Sequence, residues 1–127
     1  MIHVRGGDKF KMDSILTSVK KIIGIAEEDE SFDADIIMHI NAVLMTVCQL
    51  GVGPSNGFIV TSKNDTWTDF FSETRPIEAI KSYIGLKVRL LFDPPTSGSV
   101  SDAIKNNISE LEWRINVMAE TSHTDTT

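Results

Sequence analysis

The parts of this sequence able to do chemistry are three histidines, one cysteine, a run of acids and a glycine-rich segment. Catalysis by side chains needs a nucleophile beside a base, or several metal ligands converging on one point. His3, His39 and His123 are far apart in the chain, and none has a second ligand at i+3 or i+4, the spacing that puts two ligands on one helix face. His39 has Asp35 one turn before it, which gives at most an ion pair, and it reads as a boundary residue of a packed helix. Glu27 to Asp35 holds six acids in nine residues. The run lacks the Asp-x-Asp-x-Asp-Gly order and closing Glu of a calcium-binding helix-loop-helix, so no metal site is expected there.

The segment Gly51-Val52-Gly53-Pro54-Ser55-Asn56-Gly57 fails as a phosphate loop. It has no Gly-Lys-Ser/Thr, follows a helical pattern instead of a strand, and has no helix close behind to present its N-terminus to an anion. It reads as a helix terminator. Cys48 lies in the apolar run Ala42 to Cys48 and reads as a small core side chain. Without a partner it makes no internal disulfide, which fits a reducing cytoplasm. No catalytic site, cofactor or metal is expected, and the chain reads as not an enzyme.

Trp67, Phe70 and Phe71 bring three large rings into five residues of a polar stretch. Rings in such a place either fold back onto the body of the domain or dock on a partner. Folding back is the favoured reading. Should the loop project, Phe58, Trp67, Phe70 and Phe71 form a candidate subunit or partner interface, because aromatic anchors dominate protein contacts. Glu27, Glu28, Asp29 and Glu30 form a candidate acidic surface or channel patch.

Hydrophobic periodicity supplies the elements that must position these residues. A first helix is predicted from about Ser14 to Ile23, with Ile15, Val19, Ile22 and Ile23 on one stripe, Asp13 or Ser14 as cap, and Gly24 as stop. A second covers about Ala34 to Leu50, capped by Asp33 or Ser31, and as the most apolar helix it is expected to be central. Phe58 to Thr61 is β-prone and fits one short strand or hairpin arm. A third helix begins near Pro76 and runs to Phe92, where Asp93-Pro94-Pro95 ends it. Gly85 inside it implies close approach of a neighbouring helix, since the glycine costs about 1 kcal/mol in propensity. A fourth runs from about Val100 to Met118, with Val100, Ile104, Ile108, Leu111, Ile115 and Met118 on one stripe and a Glu110–Arg114 pair elsewhere on its surface. The fold class is therefore mainly α: a small four-helix bundle with a long aromatic loop between helices two and three.

Length and charge bound the rest. At 127 residues the chain suits one core, expected over 12–120. Residues 1–11 show neither period and precede a second methionine, Met12, so they read as a leader that is non-native or disordered. Residues 121–127 read as a flexible tail. No apolar run approaches the roughly 20 residues a bilayer requires. Residues 12–120 hold nine Lys and Arg against sixteen Asp and Glu, a net charge of −7, which argues against gripping nucleic acid through its phosphates.

The order of segments resembles a known family. Met12-Asp13-Ser14-Ile15-Leu16 is followed by an acidic turn, then Phe32-Asp33-Ala34-Asp35-Ile36-Ile37 and Gln49-Leu50-Gly51-Val52-Gly53-Pro54. Trp67-Thr68-Asp69-Phe70-Phe71 and the block Lys81 to Pro95, closing on Leu91-Phe92-Asp93-Pro94-Pro95, complete the pattern. Over about residues 12–120 this is similar to the head-tail connector proteins of long-tailed bacteriophages and prophages. The resemblance implies a structural virion-assembly subunit without a catalytic site, forming a homo-oligomeric ring beneath the portal protein and carrying a downstream tail adaptor or stopper. DNA would pass through the channel without specific binding. Such a protein would occupy the host bacterial cytoplasm during assembly and then the head-tail junction of the virion.

An alternative from another class is a small acidic regulator or inhibitor that mimics nucleic-acid charge. A mimic should spread carboxylates over an extended face, whereas here they concentrate between helices one and two. Lys81, Lys87 and Arg89 make part of helix three basic.

Overall fold

Ser14 opens the first helix by capping it. Its backbone is extended, and its hydroxyl accepts a hydrogen bond from the Thr17 N–H at 3.2 Å, satisfying one donor that the first turn leaves free. The structure, a computed structural model, describes residues 14–71 and 77–126, with side chains described as far as residue 120. The expected leader, and Pro76 as a helix start, lie outside the described residues.

Helix α1 spans Ile15–Ile23 and ends where Gly24 takes a left-handed φ of 85°. The Ile25 N–H then reaches back to the Lys20 carbonyl at 2.8 Å, closing the helix end. Helix α2 spans Asp33–Gln49. Its N-terminus corrects the expected cap: Phe32 occupies that position without a side-chain cap bond, and Asp33 is the first helical residue. Asp33 and Asp35 still place negative charge in the first turn, where the helix dipole favours it.

The four-residue α3, Trp67–Phe70, is followed by α4, Glu78–Phe92, and α5, Gly98–Thr126. Helix α5 thus starts before Val100 and continues past Met118. Its inward stripe is the one the periodicity marks: Ile104, Ile108 and Ile115 are buried. The Glu110–Arg114 pair forms on its surface at 2.8 Å.

The central helix is α4 and not α2. Helix α4 packs against α1, α2 and α5, whereas α2 packs against α1 and α4. The reason lies partly in Gly85, where a Cβ would sit 2.5 Å from Cδ1 and 2.8 Å from Cγ2 of Ile22. Without that side chain α1 approaches α4 closely, which is the use predicted for the glycine. Overall apolarity misidentified the centre because α2 leaves Met38 and Met45 outside, 61% and 63% exposed.

The short strand expected at Phe58 to Thr61 is absent, and among the described residues the β pairing consists of one isolated antiparallel bridge, Ser14 to Thr66. The side chain of Asn41 on α2 takes the place of a partner strand. Its Oδ1 accepts from the Val60 N–H at 2.8 Å and its Nδ2 donates to the Val60 carbonyl at 3.0 Å. One amide side chain can satisfy both backbone groups of one residue, so no second strand is needed.

Candidate assembly surfaces

The loop after Val60 is fastened by polar groups before its rings are placed. Asp65 Oδ2 accepts from the Thr61 N–H, the Thr61 hydroxyl and the Ser62 N–H at 2.7, 3.1 and 3.1 Å. These bonds, the Thr61 N–H foremost, hold the Asp65 carboxyl below the usual aspartate range. Thr66 and Asp69 then form a reciprocal capping box that starts α3. The Ile15 N–H donates to the Asp65 carbonyl at 3.1 Å, and the Trp67 indole N–H donates to the Ser18 hydroxyl at 3.0 Å. The loop is thereby latched onto the first turns of α1.

This latch decides where the aromatic candidates go. Trp67, Phe70 and Phe71 are 1%, 2% and 4% exposed, so as a projecting set of interface anchors they are corrected to core. Phe58 is half-buried with its ring 5.5 Å from that of Phe70, edge to face. The structure does bring all four residues to one part of the fold, but within the subunit. The geometry also uses Gly53, whose φ of 87° and whose missing Cβ, which would lie 2.6 Å from Phe70 Cε1, let the backbone pass over that ring.

The acidic turn is organised by a residue that sequence reasoning passed over. Lys20 is 3% exposed, and its ammonium donates to the Glu27 carbonyl at 2.9 Å and the Asp29 carbonyl at 2.7 Å, and pairs with Asp33 Oδ1 at 2.8 Å. The two carbonyls take hydrogen bonds from the ammonium, while Asp33 Oδ1, buried and without a hydrogen bond, meets it as a counter-charge. Asp29 in turn accepts from the Ser31 N–H at 3.1 Å, and hydrogen bonds from Ser31 hold its carboxyl below the usual range. Glu27, Glu28 and Glu30 remain at the surface around the hollow that Lys20, Asp33 and Lys63 line. The only sequence signal for the tether was a lysine one turn before Gly24, ahead of an acidic run.

Across the bundle, the Tyr83 hydroxyl donates to Glu112 Oε2 at 2.8 Å, joining α4 to α5. Burial first, and then the Glu112 carboxylate, push the Tyr83 phenol well above its ordinary value. His39 sits with its ring 6.4 Å from Phe92, and Phe32 lies 5.5 Å from the same ring, so His39 belongs to a small aromatic cluster at the boundary of the core. Among the described residues no three His, Cys, Asp or Glu side chains converge as metal ligands would.

The exposed apolar residues form the second surface feature. On α2 and the following loop these are Met38, Met45 and Ile59, the last 69% exposed; Met45 and Ile59 border a groove that Cys48 and Phe58 also line. Burial raises the Cys48 thiol above its ordinary value, so the side chain is a weak nucleophile. On α5, Trp113 is 65% and Val117 39% exposed, one turn apart and off the buried stripe. Sequence reading missed Trp113 because it followed only the inward stripe of that helix.

Comparison with known proteins yields a match between residues 15–122 and the family described as phage connector protein. No curated protein and no solved structure matches the chain. No described helix is long and apolar enough to cross a membrane.

Proposed function

The chain belongs to the phage connector protein family, and from that premise we propose that it assembles as a homo-oligomeric ring on the portal protein, extends the DNA channel and receives a downstream tail adaptor or stopper. The observation that carries this reading is the extent of the family match, which begins at the first residue of α1 and takes in the core of the bundle. The role is structural, and no catalytic step is assigned to any residue.

Two physical features support it. The chain is acidic, with a net charge of −6, and Glu27, Glu28 and Glu30 stand at the surface of a turn fixed by Lys20. Carboxylates facing packaged DNA would repel its phosphates and leave it free to slide, whereas a basic lining would hold it by releasing counterions. A rigid small bundle with its long loop folded in also suits a subunit that must repeat around an axis, since closed rings need the same two patches on every copy.

The test is co-purification with the portal protein of the same phage. The proposal expects a stable complex that survives gel filtration, and a chain that passes through the column apart from the portal would overturn it.

A further inference from the structure

We propose that the exposed face of α2, with Met38, Ala42, Met45 and Ile59, is the seat for a second copy of this chain, which docks there through the Trp113–Val117 face of its α5; the inference rests on the assembly reading above. Three observations carry it.

The first is an absence of charge. No Asp, Glu, Lys or Arg occurs anywhere in residues 36–62, in a chain where such residues make up 24%. Core packing accounts for the buried half of this segment. It does not account for Met38, Ala42, Met45, Gln49, Ser55 and Ile59, which face outward. Outward positions free of charge and enriched in methionine are what the centre of a protein interface looks like, because a charge buried there would have to be desolvated.

The second is shape. The α2 face is concave, a groove between the helix and the Ser55 to Ile59 segment. On α5 the feature is convex: one indole, 65% exposed, standing off a helix with Val117 beside it. No residue lines both surfaces. A groove and a projecting ring at different places on one chain make a heterologous contact, which repeats from copy to copy, as a ring requires.

The third is charge complementarity at the rims. Beside the groove, Lys87 lines the adjoining hollow with Ala42, Thr46 and Leu91. Among the described residues, the exposed charged residues of α5 are Asp102, Glu110 and Glu120 against Lys105 and Arg114. One lysine beside the groove therefore faces a helix surface with a small excess of acids, which favours that pairing.

The experiment uses the full chain and two single variants, Met45→Glu and Trp113→Glu, each at a site so exposed that the fold should be kept, as far-UV circular dichroism would verify. Self-association is followed by sedimentation velocity up to the highest soluble concentration, with and without portal protein as template. Each variant should weaken self-association by about tenfold or more. Mixing the two should restore discrete heterodimers, because one variant retains the indole and the other retains the groove. Assembly that persists in either variant overturns this inference and leaves the connector reading standing, as does a mixture that stays monomeric when each variant has lost assembly. A wild-type chain that neither self-associates nor binds the portal overturns both.

Discussion

The Nζ of Lys20 lies 2.8 Å from Asp33 Oδ1, so the end of α1 and the start of α2 are joined across the acidic turn by a partly buried ion pair. The same ammonium holds two carbonyls of that turn, and the candidate acidic patch owes its shape to one cation. Replacing Lys20 by Met keeps the apolar stem and removes the charge. The two carbonyls then lose their donor and Asp33 Oδ1 its counter-charge, and the expected cost is about 3 kcal/mol of unfolding free energy by urea titration. Because removing both partners avoids the orphaned charge, Lys20→Met with Asp33→Asn should be less destabilised than Lys20→Met alone.

Gly85 predicts a coupling between two helices. In an ordinary helix interior, Gly→Ala stabilises by about 1 kcal/mol. Here the new methyl would meet Ile22 at 2.5 Å, so Gly85→Ala should destabilise by roughly 1 to 2 kcal/mol. In an Ile22→Ala background most of that penalty should vanish, giving a coupling of at least about 1 kcal/mol in a double-mutant cycle.

Tyr83 gives the bundle an alkaline limit. Its folded-state pKa is raised by burial and by Glu112, so the native chain keeps a proton that the unfolded chain releases. The stabilisation is complete below the ordinary tyrosine value of about 10 and is lost as pH rises above it. Tyr83→Phe should cost about 1 kcal/mol at neutral pH through the lost hydrogen bond to Glu112, and should flatten the loss of stability above about pH 10. Denaturation midpoints across that range check both.

Asp65 acts at the other end of the pH scale. Its folded-state pKa is depressed by the Thr61 and Ser62 donors, so its contribution is present above the ordinary aspartate value and is lost as pH falls through the folded one. Asp65→Asn should lower the thermal midpoint at neutral pH, and the gap from wild type should close below about pH 4. A gap that stayed constant with pH would show that the Asp65 charge does not hold the loop.

Much of this architecture was legible from spacing. The cap at Ser14, the stop at Gly24, the buried stripe Ile104, Ile108 and Ile115, and the close helix approach at Gly85 each follow from local rules. What escaped were side chains whose role depends on partners far along the chain. Asn41 replaces a strand 19 residues away, and the Trp67 indole finds Ser18 at a separation of 49. Such pairs leave no period in the sequence. The aromatic loop was ambiguous for the same reason, since three rings in a polar segment look alike whether they fold inward or project. The α2 face was hidden because its exposed methionines count as apolar in any stripe.

The central proposal is that this member of the phage connector family forms a ring on the portal, and negative-stain imaging of the chain mixed with the portal protein tests it most directly. The account predicts closed rings of uniform diameter stacked on one end of the portal, with a fixed number of copies per particle. Bare portal particles beside free monomers, at concentrations where both components are intact, would contradict it.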